Sequence, residues 1–434
     1  MARRFLRSAS SFVQWRFRQW PIGTVSASVR DVSSGPLIRP KVTTVYVSPD
    51  KKTLSLEFDG TRQHSYHAVW LRHTCKCAKC WNSSSNQSTA SPLHVLPTST
   101  IKDAKVEGEA LVVSWTEEHD PDHVGFHPLT WLKENAYDMG TRTLKHTSAR
   151  PTPLKGKMKD FQFSDVMSSD GKRLEWLMAL YEDGLTMVQN VPLETGRVRE
   201  VAQRIGNVQK TFYGETFDVV SIEKPINVAY SASKLFLHQD MQYCESPPGI
   251  QLLHCLKFDS CIVGGESAIV DMFHFAEQFR IQYPKEFNVL SRVNASFYKV
   301  NLNYTPAYCR NSWPIIVTDH DSGEVKAVHW NPYIDSPLCA DPQWVEPFFD
   351  ARWKFAHMLE TFPYKHKFRL TPGDLIVFNN RRMSHARNTF SLNGGERHLQ
   401  GCYVNIDDFR SAVEGSCLAE GRPFNRVRVG NQDI

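Results

Sequence analysis

The chain has 434 residues, 41% hydrophobic and 22% charged, with ten cysteines. That is too long for one small domain and too ordinary in composition for a disordered, collagenous or disulfide-stapled protein. No stretch reaches the roughly 18 uninterrupted apolar residues of a membrane-spanning helix, and the mean hydropathy is -0.40. The formal net charge is +5, but residues 1–30 hold Arg3, Arg4, Arg7, Arg16, Arg18 and Arg30 and no acid. Removing those six from 51 basic residues leaves 45 against 46 acidic ones, a body near neutrality that argues against a nucleic-acid footprint.

The first thirty residues interleave arginines with Phe5, Leu6, Phe12, Val13, Trp15 and Phe17, the composition of a mitochondrial transit segment. Residues 1–40 are therefore expected to be a disordered leader to the mitochondrial matrix, with a basic tail on a cytoplasmic protein as the alternative. A secretory signal is disfavoured because no apolar core of 7–15 residues follows the arginines. The scattered cysteines fit a reducing compartment, and the sequons at Asn82, Asn86, Asn294 and Asn303 matter only on a secreted route.

After the Pro- and Ser-containing stretch near 34–41, Thr43–Val47, Thr53–Phe58 and Ala110–Trp115 alternate apolar and polar residues, which predicts strands of a small β-rich domain over 41–135. The Ser/Asn-rich segment 82–91 reads as a loop. Leu174, Leu177, Met178 and Tyr181 mark a helix ending at Asp183-Gly184, followed by the strand Leu185–Val188. Thr195 can cap a second helix whose Val198, Val201, Ala202 and Ile205 share a face. Further on, Ile250–His254, Ala268–Val270 and Leu375–Phe378 are short strands between glycine- and proline-containing turns, with helices expected at 273–282 and 343–360. Many short strands punctuated by turns predict a sandwich or barrel over 136–434, mainly β with flanking helices. There is no internal repeat. P-loop and dinucleotide fingerprints are absent, which removes kinase and dehydrogenase readings.

Two clusters carry chemistry. In a strand, residues i and i+2 share a face, so His238 and Asp240 can converge on one ion. Taken alone, an H-x-D triplet has a high false-positive risk. A second imidazole, His385, follows the strand that Thr371-Pro372-Gly373-Asp374 opens. Two imidazoles and a carboxylate form a facial triad suited to Fe(II), with open positions for a bidentate cosubstrate and O₂; zinc hydrolysis is the competing chemistry. Arg397, beyond the reversal at Asn393-Gly394-Gly395, offers a planar fork for a carboxylate, though a surface ion pair would use the same residue type. Separately, Cys75, Cys77 and Cys80 crowd six positions, as expected for a structural zinc site needing one more donor. A redox pair of Cys77 and Cys80 is weakened because no βαβ pattern surrounds it. His64, His67, His73, His119 and His123 are all available as the fourth ligand.

The order Asn227-Val-Ala-Tyr230, His238-x-Asp240, Pro-Pro-Gly-Ile-Gln-Leu-Leu-His-Cys at 247–255, Gly264-Gly265-Glu-Ser267, His385 and Arg397-His-Leu resembles the gamma-butyrobetaine dioxygenase family over about residues 45–410. Trimethyllysine dioxygenases share the framework. The resemblance implies a double-stranded β-helix (jelly roll), with Fe(II) on His238, Asp240 and His385. It also implies 2-oxoglutarate on Arg397 with Ser267 assisting, zinc completed by His119, a homodimer, and activity supported by ascorbate. It implies hydroxylation of gamma-butyrobetaine to L-carnitine. N6-trimethyllysine hydroxylation is the alternative within the class, and a non-catalytic zinc-bearing binding protein the alternative outside it. A quaternary ammonium cannot donate an N–H bond and is held by aromatic faces. The resemblance assigns that cage to Tyr213, Phe217, Tyr230 and Tyr403, with Asn227 touching substrate; taken alone, each of these aromatics is more often a core residue. Two departures stand out. Phe217 occupies a position where the family carries Trp, and Asn379-Asn380-Arg381-Arg382 replaces Asp-Asn-Trp-Arg.

Overall fold

The computed structural model describes residues 40–430 except 61, 117–119, 152, 154–155, 221–230 and 303–304. The leader, His119, Asn227, Tyr230 and the Asn303 sequon lie outside the described residues, apart from the leader's last position.

Two three-stranded antiparallel sheets build the N-terminal part: Val42–Val47, Thr53–Phe58 and Arg62–His67, then Thr100–Glu107, Ala110–Thr116 and Val124–Pro128. Alternation sends Leu54, Leu56 and Phe58 inward from the first and Leu111, Val113 and Trp115 from the second, onto one core. The segment expected as a loop carries a minimal ribbon, Trp81–Asn82 with Gln87–Ser88.

The larger part is a pair of sheets. One has six strands in the order Phe217–Val220, Arg397–Val404, Ile250–Phe258, Leu375–Asn379, Leu185–Gln189 and Lys159–Gln162. The other has four, Leu235–His238, Met383–Arg387, Ser267–Asp271 and His366–Phe368. All pairings in the two sheets are antiparallel except that of Lys159–Gln162 with Leu185–Gln189, a strand the alternation rule did not pick out. This is the double-stranded β-helix.

Both faces of the larger sheet are covered, so its central strands read as continuous apolar runs rather than clean alternations. From Ile250–Phe258 and Leu375–Asn379, Ile250, Leu252, Leu375 and Val377 pack outward against helices. Ile376 and Phe378 face the smaller sheet. The covering helices are Asp170–Asp183, Arg197–Gln203 and Ile406–Glu420. Ser169 caps the first, accepting from Lys172 N, and Gly184 ends it at φ 75°, a left-handed conformation that costs glycine little. The second helix differs from expectation: Gly196, not Thr195, stands at its N-cap, at φ 91° with no side-chain cap. Another layer of helices, Met272–Gln282, Pro284–Arg292 and Pro342–Thr361, buries Phe275, Phe279 and Phe355 beside the hairpin Asn294–Asn301 and Ala307–Pro314.

Candidate active site and metal centres

Asp120 and His123 shape the first metal site. His123 Nε2 lies 3.5 Å from Cys75 Sγ, 3.8 Å from Cys77 Sγ and 3.7 Å from Cys80 Sγ, and all four ligand atoms fall within 4.8 Å of one another. His119, which the resemblance assigns to the fourth place, lies outside the described residues. Among the described residues the fourth donor is therefore His123. The reason is visible in the fold: the turn of Asp120 and His123 lays the imidazole edge-on to Trp115 in the domain core, 5.5 Å between centroids. Asp120 Oδ2 then meets His123 Nδ1 at 3.1 Å, fixing the ring as an outer carboxylate does in a zinc centre. Arg72 donates to Cys80 Sγ at 3.5 Å. Burial pushes the Cys75 thiol up to about 12 and raises Cys80 as well, so a cation is what would hold these two sulfurs as thiolates beside Cys77. Three soft sulfurs and one imidazole with no open position fit structural zinc. The backbone at Gly125 passes so near that an added Cβ would sit 2.4 Å from the Trp115 ring and 3.0 Å from Cys75 Sγ.

The second centre lies between the two sheets. His238 ends the strand Leu235–His238, and in the antiparallel register its cross-strand partner is His385. Their rings stand 4.2 Å apart. Asp240, two residues on, places Oδ1 3.3 Å from His238 Nε2. The donor atoms of His238, Asp240 and His385 lie within 4.8 Å of one another. His238 Nδ1 is bonded to Phe236 O at 2.8 Å, which fixes the ring. His385 Nδ1 is buried with no hydrogen-bond partner. Burial, then the neighbouring His238, pushes His385 down to about 3, so this imidazole is neutral and its nitrogens are free to act as ligands. Burial alone would raise the Asp240 carboxyl, yet opposing interactions led by the hydrogen bond with His238 hold the group well below the usual range. Two neutral-capable nitrogens and a carboxylate on one side of a buried point are the donor set of a facial-triad iron site.

Residues outside the metal triad hold Asp240 in place, Gln251 among them not singled out in the sequence. Gln251 donates to its Oδ2 at 2.9 Å and Tyr403 OH at 2.7 Å. Asn380, fully buried, accepts from Asp240 N at 2.8 Å and donates to Asp240 O and Pro248 O. Gln239, also fully buried, donates to Asn380 O and Arg381 O. The segment that departs from the family is thus the floor of the iron loop. Arg381 donates to Pro247 O and Ser246 Oγ, bracing the Pro-Pro-Gly turn, and Arg382 makes a buried ion pair with Asp271 at 2.7 Å. A signal for Gln251 did exist: it is the one amide inside the apolar run 250–253.

The three donors open on a cavity of about 270 Å³. Ser267, Arg397, Tyr213, Phe217 and Tyr403 all line it, as do Lys299 and Arg387. Arg397 is 4% exposed, sits over the rings of Phe258 and Phe390 at 5.3 and 5.5 Å, and leaves Nε without a hydrogen-bond partner. Burial pushes its guanidinium down to about 10, so an anion beside it would offset the cost of burying the cation. Phe217 and Tyr403 stack at 5.1 Å and 26°, with Tyr213 6.5 Å from Phe217. Their closeness depends on Gly401, where an added Cβ would meet the Phe217 ring at 2.4 Å.

Residues 147–403 match the family described as taurine catabolism dioxygenase TauD, TfdA family, and residues 45–133 match the gamma-butyrobetaine hydroxylase-like N-terminal domain. The chain is 31% identical over 391 residues to gamma-butyrobetaine dioxygenase of Pseudomonas sp. (strain AK-1), covering 89% of this chain and 98% of that one. It is 29% identical over 350 residues to the Homo sapiens gamma-butyrobetaine dioxygenase, covering 79% and 88%. It is 27% identical over 371 residues to the mitochondrial trimethyllysine dioxygenase of Mus musculus, covering 82% and 83%. With a buried two-histidine, one-aspartate face between the sheets of a double-stranded β-helix, this chain belongs to the TauD/TfdA family of Fe(II)- and 2-oxoglutarate-dependent dioxygenases.

Proposed function

We propose that this dioxygenase hydroxylates gamma-butyrobetaine to L-carnitine. The observation that carries the reading is the cavity itself, in which the His238, Asp240 and His385 donors face an aromatic wall of Tyr213, Phe217 and Tyr403 and a buried, unpaired Arg397. Fe(II), when bound by the three donors, supplies the O₂ chemistry that couples oxidation of 2-oxoglutarate to insertion of oxygen into an unactivated C–H bond. The rest falls to the protein. Arg397 would take the far carboxylate of 2-oxoglutarate, assisted by Ser267, because a buried guanidinium fork matches a carboxylate in geometry and charge. The stacked faces of Phe217 and Tyr403 offer a trimethylammonium an attraction of about 0.5–2 kcal/mol each, more as water leaves. Specificity is positional: with the cation fixed in the cage, the carbon held nearest the metal is the one that reacts.

The test is a substrate panel with the purified enzyme, Fe(II) and 2-oxoglutarate, following added oxygen by mass spectrometry and succinate release together. Gamma-butyrobetaine is expected to gain one oxygen atom with matching succinate. Faster conversion of N6-trimethyllysine would reassign the substrate, and succinate without hydroxylation of either cation would overturn the trimethylammonium class.

A further inference from the structure

Lys299 is a cation without a job in the machinery described so far. It belongs to the hairpin strand Asn294–Asn301, in which Ala295 and Phe297 point into the core, and it shares their parity. Its neighbours Tyr298 and Val300 point out, 41% and 43% exposed. Alternation therefore turns a lysine inward, and it ends as part of the cavity wall. Among the described residues it has no carboxylate partner and no side-chain hydrogen bond.

The charge balance of the cavity sharpens the point. Among the described residues Asp240 is the single carboxylate in the wall, and it is committed to the metal face. Against it stand Arg397, Arg387 and Lys299. Arg387 directs its Nη2 at the carbonyls of Ser231 and Ser233, at 2.6 and 2.8 Å. Arg397 enters between Phe258 and Phe390, on the strand paired with Ile250–Phe258. Lys299 arrives with a separate layer, the hairpin that bonds through Tyr298 N to Ile334 O at 2.9 Å, next to the loop of Asn331 and Tyr333. Two cations on separate elements call for two anionic groups, and a single dicarboxylate cosubstrate on Arg397 accounts for one.

We infer that Lys299 reads the carboxylate of the substrate, so that the site selects a quaternary ammonium whose far end is a bare anion. The inference rests on the proposed function and deepens it. An amino-acid end, as in trimethyllysine, presents an α-ammonium beside its carboxylate and would meet Lys299 with partial repulsion; a betaine end would not. Lys299 is thus a specificity residue rather than a catalytic one.

The experiment compares wild type with Lys299→Gln and Lys299→Arg, using gamma-butyrobetaine and an alkyltrimethylammonium of equal chain length that lacks the carboxylate. Losing a hydrogen bond to a charged group is expected to raise KM for the betaine roughly 10- to 100-fold in Lys299→Gln. The KM for 2-oxoglutarate should stay constant, and Lys299→Arg should recover most of the loss. The decarboxylated analogue should bind wild type and Lys299→Gln alike. Wild-type turnover of the betaine with an unchanged KM in Lys299→Gln overturns this inference alone. Failure of wild type to oxidise any trimethylammonium substrate removes it together with the proposed function. An equal loss of affinity for the analogue in Lys299→Gln would also overturn it, showing a merely structural lysine.

Discussion

Tyr403 holds two posts at once, and a single atom separates them. Its ring is one wall of the proposed aromatic cage, 5.1 Å from Phe217, while its hydroxyl donates to Asp240 Oδ2 at 2.7 Å. Tyr403→Phe removes the second role and keeps the first. A hydrogen bond to a charged acceptor is worth about 1.5–3 kcal/mol, and because Gln251 donates to the same oxygen at 2.9 Å, the lower end applies. About 1.5 kcal/mol is roughly a tenfold weaker grip on Fe(II). Adding Gln251→Leu strips the last donor from a buried carboxylate oxygen, so the double variant should lose more than the two single losses combined. Metal titration under anaerobic conditions measures the iron affinity, and betaine binding to the metal-loaded protein measures the cage. The expected pattern is weakened iron in Tyr403→Phe with betaine affinity retained. Unchanged iron affinity with tenfold weaker betaine binding would refute the reasoning and place the hydroxyl against the substrate instead.

Further outcomes follow from other parts of the molecule. His123→Ala or Cys77→Ser should release one zinc per chain by elemental analysis and lower the unfolding temperature, while exchange-protected amides in the Ile250–Phe258 strand stay protected; full zinc retention in His123→Ala would remove His123 from the ligand set. Breaking the buried Arg382–Asp271 pair with Arg382→Met should cost about 3–5 kcal/mol by urea unfolding, because Asp271, which also caps the helix Met272–Gln282, is left uncompensated. A cost under 1 kcal/mol would mean that water reaches the carboxylate. His254 is fully buried with both ring nitrogens unpartnered, and burial pushes it down to about 4. The unfolded imidazole takes a proton near 6.5 and the folded one resists until about 4, so stability present above pH 6.5 is lost as pH falls, about 2 kcal/mol of it by pH 5. His254→Leu should flatten that slope between pH 7.5 and 5; identical slopes would show that another group governs acid stability. Residues 1–40, fused to a fluorescent reporter, are expected to direct it to mitochondria, and a diffuse cytosolic signal would count against a transit role.

Local patterns made part of this site readable. His238-x-Asp240 is a period-two pair whose shared face follows from strand geometry, and the crowding of Cys75, Cys77 and Cys80 needs no fold to be seen. Non-local register is a different matter. Nothing near His385 says that it stands opposite His238; that comes from pairing Leu235–His238 with Met383–Arg387, strands far apart in the chain. The same holds for His123. Five histidines were eligible on spacing, and the turn with Asp120 against Trp115 singles one out only after the second N-terminal sheet has folded. The helix cap failed for a similar reason: Thr195 has the right chemistry, but the chain enters that helix through a left-handed Gly196, whose N–H is taken by Gln400 of the adjacent sheet.

The unexpected sequence Asn379-Asn380-Arg381-Arg382 shows what such substitutions can preserve. Its side chains do not enter the cavity; they hold the backbone that carries Asp240, through Asn380 to the aspartate's own amide and carbonyl, and through Arg381 to Pro247. A loop can therefore exchange a tryptophan for an arginine and still deliver the same carboxylate, provided the new cation finds carbonyl acceptors, as Arg381 does. Wall positions have no such freedom. Phe217 and Lys299 line the cavity, so under the proposed function a change there alters what is bound rather than how the binder is held. That division puts the origin of substrate choice in the wall and the origin of iron chemistry in the floor, and the two meet at Tyr403, which lines the cavity and donates to Asp240, so a change there touches both.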